Sequence, residues 1–274
     1  MIQLATLSPD TLQELKRSFE ENGFCIARGV FSPEEVSEIK DLFEGLHEQG
    51  PIPKYYEPMS AEEAGDDILK TRPRFMHPHR YSDTARRYML HPKVTRILKE
   101  LFGHPPLAAQ SMFYQKPPGA KGQDMHQDQF YLLVEPGTCI AAWTAIDDAD
   151  PKNGGMHLVP GSHNTEVVCP ENTANPNESF TNHHVRVPRG YKTEPAIMSA
   201  GDVLFFNGSV IHGSGKNRTA DRWRRSFICH YVSEMTEKLS YAYLPLIGMD
   251  GSEVTREANQ GGGPCGADWQ GATH

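Results

Sequence analysis

The feature that most narrows the fold of this chain is a change of texture at Pro105. Beyond it, short β-like runs alternate with Gly, Pro, Asn and Asp, the pattern of a sandwich or jelly roll. The runs cover residues 107–114, a stretch around His126, and residues 138–146, 156–160, 203–206 and 223–232. Lys116-Pro117-Pro118-Gly119 and the polar residues 147–155 read as turns between them. Upstream the signals are helical. Ser8-Pro9 supplies an N-cap and a first-turn proline ahead of Leu12, Leu15 and Phe19, and Asn22-Gly23 stops that helix. Residues 24–30 read as a short strand. Ser32-Pro33-Glu34-Glu35 is a capping box in front of Val36, Ile39, Leu42, Phe43 and Leu46. Val94, Ile97, Leu98, Leu101 and Phe102, closed by Gly103, form a third apolar stripe. The expected fold is mainly β with flanking helices, a sandwich or jelly roll.

The 274 residues suit one domain with one large core. We expect a mostly helical part over 1–104, a jelly-roll core over 105–235 and a C-terminal extension over 236–274. The last stretch of that extension, GGGPCGADWQGATH, reads as a poorly ordered tail. Residues 50–80 read as an irregular connection able to line a pocket. Residues from about 164 to 195 are long, polar and aperiodic, which favours a lid or binding loop. Lys and Arg total 27 against 35 Asp and Glu, a formal charge of -8. No block of like charge marks a nucleic-acid or membrane surface, so a small molecule is the expected partner. The five cysteines are odd in number, scattered and free of C-x-x-C. They indicate neither a disulfide framework nor a zinc site and favour a reducing compartment. No leader-like N-terminus and no run of ~18 apolar residues is present, so the chain reads as soluble and cytoplasmic.

The chemistry begins at His126-Gln127-Asp128. On a β-strand, residues two apart share a face, so this imidazole and carboxylate can grip one metal ion. The three-residue pattern alone is weak among thirteen histidines; its alternative is a strand-edge charge pairing with Lys or Arg. His212, after a glycine-led apolar strand, completes a 2-His-1-carboxylate set that leaves positions open for a co-substrate and dioxygen. Arg224 lies twelve residues further, on the expected next antiparallel strand. Its planar fork suits the far carboxylate of a chelating dicarboxylate, and Ser214 can donate a hydroxyl to the same group. Arg222 shares the strand face of Arg224 and remains a rival. His157 and His230 lie in apolar runs and read as satisfied core histidines.

With these pieces in order, the chain resembles the phytanoyl-CoA dioxygenase family. The resemblance runs from about residue 112 to 232 and rests on HQDQFYL, AAWTAIDDADPKNGGMHLVPGSH and HGSGKNRTADRWRRSFICHY. It implies a double-stranded β-helix with iron(II) on His126, Asp128 and His212, and 2-oxoglutarate against Arg224 and Ser214. It also implies Trp143 and Met112 as walls of that pocket, and dioxygen as co-substrate. The family often places the anchoring arginine first in an Arg-Arg pair, which selects Arg224 over Arg225; Arg72 or Arg74 would be an upstream basic contact to the co-substrate. The implied reaction hydroxylates a C–H bond of a small organic substrate and releases succinate and carbon dioxide. Halogenation is disfavoured, because Asp128 fills the position a halide needs. A jelly-roll metal-binding protein without oxygenase activity is the other reading.

Overall fold

The computed structural model describes residues 7–65, 67–172, 175–259 and 263–266. In chain order it contains α1 (Pro9–Asn22), β1 (Phe24–Ala27), α2 (Pro33–Gln49), α3 (Ala61–Ala64), β2 (Phe75–Met76), α4 (Asp83–Met89) and α5 (Pro92–Phe102). Then follow β3 (Pro106–Lys116), β4 (Gln123–His126), α6 (Gln129–Leu132), β5 (Ile140–Ala145), β6 (Met156–Leu158), β7 (Glu171–Asn172), β8 (His183–His184) and β9 (Glu194–Pro195). The chain continues through β10 (Val203–Asn207), β11 (His212–Ser214), β12 (Arg224–Ser233), β13 (Lys238–Ser240), β14 (Leu246–Gly248), β15 (Glu253–Val254) and β16 (Glu257–Asn259).

The helix caps act as their residues dictate. The Ser8 hydroxyl accepts from the Thr11 amide, and Gly23 ends α1 at φ 81°. Ser32 and Glu35 close a reciprocal capping box on α2. Two antiparallel sheets then face each other as a jelly roll. The larger runs β1-β10-β5-β12-β3-β14-β15, with β2 beside β3, and the smaller runs β4-β11-β6-β9. Between them pack Met112, Trp143, Leu204, Phe206 and Ile228 of the larger sheet and Met156 and Leu158 of the smaller. The outer face of the larger sheet is covered by the N-terminal helices. Phe43 of α2 stacks on Phe113 of β3 at 3.9 Å, and Tyr56 stacks on Phe75 of β2 at 3.7 Å. Each such buried ring stabilises the sheet–helix layer by roughly 1.5–3 kcal/mol.

Several expectations change. Residues 50–80 are more ordered than an irregular connection, because α3 and β2 form within them and Tyr56 and Phe75 are core. The stretch expected as a lid or binding loop is tied to β4, and its Phe180 lines a cavity. The Val185 amide donates to the Met125 carbonyl at 2.7 Å, and Ser179 Oγ accepts from the Asp124 amide at 3.1 Å. The sequence reading placed no element over residues 238–259, yet β14 and β15 extend the larger sheet there. The cysteine expectation is overturned for one pair: Cys169 and Cys265 form a disulfide across 96 residues, while Cys25, Cys139 and Cys229 are free and buried. Residues far apart in the chain meet only through tertiary packing, which spacing cannot reveal. Part of the expected tail, residues 263–266, is therefore anchored, and the rest, 261–262 and 267–274, lies outside the described residues. Among the described residues no helix is long and apolar enough to cross a membrane.

Candidate metal and co-substrate site

His126 is the last residue of β4, and Asp128 lies beyond the strand with helical dihedrals (φ -63°, ψ -33°) at the start of α6. The shared strand face expected for this pair is thus not what aligns them. A chain reversal does so: the Tyr131 and Leu132 amides donate back to the Asp128 carbonyl, and the Gln129 amide donates to the Gly208 carbonyl just after β10. His212 opens β11 directly opposite His126, so backbone register brings the two imidazoles together. The result is a tight cluster. Asp128 Oδ1 lies 3.5 Å from His126 Nε2 and 3.6 Å from His212 Nε2. One donor atom from each of the three buried residues falls within 4.8 Å of the others.

The outer nitrogens of both rings are engaged in the same way. His126 Nδ1–H donates to the Asp124 carbonyl at 2.8 Å, and His212 Nδ1–H donates to the Val210 carbonyl at 2.9 Å. This fixes the tautomer that leaves each Nε2 lone pair facing the cluster. Burial, followed by the neighbouring His126, pushes the His212 pKa down to about 4, so that ring is neutral at neutral pH, as a metal ligand must be. The sequence reading missed one member of the site. His230 of β12, taken for a core histidine, approaches Asp128 Oδ2 at 2.9 Å through Nε2. Its imidazole orients the carboxylate from behind, as outer groups commonly orient metal ligands. The only sequence signal for it was a titratable residue in the otherwise apolar run of residues 227–232.

One cavity is lined by His126, Asp128, His212, Ser214, Arg224, Trp143 and Met112. All seven candidate residues therefore meet in one place. Alternation along β12 selects among the arginines. Arg224, Ser226 and Ile228 face the inside, whereas Arg225 and Phe227 face the helices, and Arg225 is clamped by Asp147 and Glu44. Arg222 precedes the strand and pairs with Asp150 at 2.8 Å, and the residues lining the cavity include Arg224 and not Arg222.

Arg224 is 2 % exposed and its guanidinium lies over the Trp143 ring at 5.5 Å. It donates to the Gly154 carbonyl and to Ser226 Oγ. Among the described residues no carboxylate forms an ion pair with it. Burial lowers its pKa to about 10, which leaves it a cation at neutral pH.

A second buried basic side chain stands beside it. Lys116, opposite Arg224 in register, donates to Ser214 Oγ at 2.9 Å, Gly215 O at 2.8 Å and Gly154 O at 3.3 Å. Burial, followed by Arg224, holds its pKa well below the usual lysine value. Gly154 is needed here: its φ is 78°, and a Cβ on it would stand 2.6 Å from the Gly215 carbonyl oxygen. Ser214 Oγ accepts from Lys116 and, at 3.3 Å, from the Gln123 amide. With both lone pairs engaged, its hydroxyl proton is left to donate into the cavity. Lys116 is invisible to a motif search because it reads as the first residue of a Pro-Gly turn.

A jelly roll with a His-Asp-His cluster facing a buried, uncompensated arginine defines an iron(II)- and 2-oxoglutarate-dependent oxygenase. Residues 19–226 match the family described as Phytanoyl-CoA dioxygenase (PhyH), and the chain belongs to it. It is 24% identical over 255 residues to "Phytanoyl-CoA dioxygenase, peroxisomal" of Rattus norvegicus, covering 89% of this chain and 73% of that protein. It is 28% identical over 245 residues to "Probable phytanoyl-CoA dioxygenase" of Caenorhabditis elegans, covering 81% and 75%. Similar solved structures include the epimerase SnoN in complex with Fe3+, alpha ketoglutarate and nogalamycin RO (TM-score 0.68, 23% identity, 92% and 95% covered). Another is EvdO2 from Micromonospora carbonacea var. aurantiaca complexed with 2-oxoglutarate (TM-score 0.64, 19% identity, 85% and 94% covered). At this identity they speak for the fold. Iron, 2-oxoglutarate and dioxygen are the cofactor and co-substrates of the class, and two neutral imidazoles with one carboxylate are the donor set iron(II) takes.

Proposed function

We propose that the protein hydroxylates a C–H bond of a small organic substrate, with His126, Asp128 and His212 holding iron(II) and Arg224 and Ser214 receiving the distal carboxylate of 2-oxoglutarate. Bound iron(II), 2-oxoglutarate and dioxygen supply the oxidising power, and the co-substrate leaves as succinate and carbon dioxide. The protein's own residues bind and orient. His230 holds the Asp128 carboxylate, Asp124 and Val210 hold the two imidazole tautomers, and Lys116 turns the Ser214 hydroxyl toward the co-substrate. Trp143 and Met112 wall the pocket and exclude water. The observation that carries this reading is the convergence of three metal-binding atoms within 4.8 Å in the cavity that Arg224 also lines.

The test has two parts. Protein supplied with iron(II) and 2-oxoglutarate alone should form succinate slowly, and His126→Ala should bind no iron at stoichiometric metal. Full iron binding and turnover by that variant would refute the ligand set, and no succinate from the unaltered protein would favour a binding protein. With substrate and labelled dioxygen, mass spectrometry should find one labelled oxygen in the product. A product isomeric with the substrate would indicate epimerisation instead, the activity named for the SnoN structure. A chlorinated product in excess chloride would contradict the role of Asp128 in filling the halide position.

A further inference from the structure

A second cavity, of about 310 Å³, opens beside the first and shares Tyr114 with it. This volume is in the range of small-molecule sites, roughly 300–1,000 Å³. Its apolar wall is Met59, Leu69 and Phe180, and its basic residues are Lys70, Arg72 and Arg74. The three cations differ. Lys70 is exposed at the rim. Arg72 is committed to Glu44 at 2.7 Å and Gln115 at 2.9 Å. Arg74 lies between the rings of Tyr114 and Phe180, at 5.8 and 5.9 Å, and donates to Tyr114 Oη at 3.0 Å. Among the described residues no carboxylate forms an ion pair with it. Two acids also line this cavity, where Glu57 accepts from the Lys54 amide and Asp67 from the Leu69 amide, and neither forms an ion pair with Arg74.

A guanidinium held in an aromatic sleeve without a counter-charge is poised for an anion brought from outside. Arg74 also stands close to the chemistry. Tyr114 Oη donates to Gln123 Oε1 at 3.4 Å, and the Gln123 amide lies 3.1 Å from the His126 ring. We propose that Arg74 is the receptor for an oxyanion group of the prime substrate, carboxylate or phosphonate, whose apolar portion lies against Met59, Leu69 and Phe180. The substrate is then an amphiphilic anion that enters through the second cavity and reaches the metal cavity past Tyr114. Arg74 serves as a specificity residue that fixes which C–H bond is presented. This rests on the reading of the first cavity as an oxygenase site.

The experiment measures binding of hexanoate, hexylphosphonate and hexan-1-ol by ligand-detected NMR to iron-loaded protein saturated with 2-oxoglutarate. At least one anion should bind about tenfold more tightly than the alcohol, and the stronger of the two identifies the oxyanion. Arg74→Gln should abolish that preference, Arg74→Lys should keep part of it, and Lys70→Gln should keep most of it. Thermal melts of each variant establish that it is folded. Equal binding of all three probes, or a preference intact in Arg74→Gln, would overturn the proposal. So would a preference lost equally in Lys70→Gln, or a half-saturation for 2-oxoglutarate that rises in Arg74→Gln as much as the anion's Kd. If the unaltered protein makes no succinate while the anion preference stands, the oxygenase reading fails and the anion site survives. Succinate without the preference gives the reverse.

Discussion

Arg224 and Arg225 are chain neighbours on β12, yet the two faces of one sheet give them opposite tasks. Arg225 faces the helices, where Asp147 grips its Nε and Nη2 at 2.8 and 2.7 Å and Glu44 adds a third contact at 3.2 Å. Arg224 faces the cavity, where its protein partners are a carbonyl and a hydroxyl. The helix-facing charge is compensated within the fold and joins the helical layer to the sheet. The cavity-facing charge is buried without compensation, a costly arrangement that a ligand's carboxylate relieves. Arg72 and Arg74 repeat the contrast, the first held by Glu44 and the second set over the Tyr114 and Phe180 rings.

The sharpest way to break this comparison is to remove each arginine in turn. Arg224→Met should raise the apparent KM for 2-oxoglutarate by the loss of a charge-assisted contact, about 2–5 kcal/mol, with little loss of stability. Arg225→Met should destabilise by roughly 3 kcal/mol, because Asp147 loses its partner and Glu44 one of its two, with little change in that KM. Steady-state kinetics and denaturant melts on both variants decide it, and matching effects would erase the distinction. Lys116→Met should come next, raising the same KM by about 1–3 kcal/mol while kcat changes less, since it acts through Ser214 and Gly154. A fall in kcat alone would place Lys116 nearer the reacting atoms. Ser214→Ala should cost about 0.5–1.5 kcal/mol in the same measurement.

The smallest effect near neutral pH belongs to the helix-facing layer. His79 is buried there against Ser111, its Nδ1 2.7 Å from the hydroxyl, and burial lowers its pKa from 6.5 to about 3. Between those values the unfolded chain binds the proton that the folded chain refuses, so stability falls as pH drops below about 6.5 and continues to fall toward about 3. From pH 7 to 6 the change should be under ~1 kcal/mol. Urea melts across that range should show a shallower slope for His79→Asn, and an unchanged slope would assign the effect to other groups.

By itself the sequence determined what depends on local periodicity and on residue chemistry. Apolar stripes at helical spacing with Ser caps and Gly stops gave α1, α2 and α5, and short runs between turn residues gave the strands of the jelly roll. His126, Asp128, His212, Ser214 and Arg224 were legible because each carries an uncommon chemistry at a meaningful interval, and family likeness added Trp143 and Met112. Tertiary structure decided what depends on who meets whom. Asp128 reaches the cluster through the turn into α6, because its chain reverses there against Gly208. His230 stands behind Asp128 although 102 residues separate them, and Lys116 supports Ser214 across 98. Cys169 meets Cys265, and Arg74 is set apart from Arg72, only in the folded chain. The physical reason is the same throughout. Local sequence fixes a side chain's chemistry and its face, whereas the partner that engages or spares its charge comes from another part of the chain.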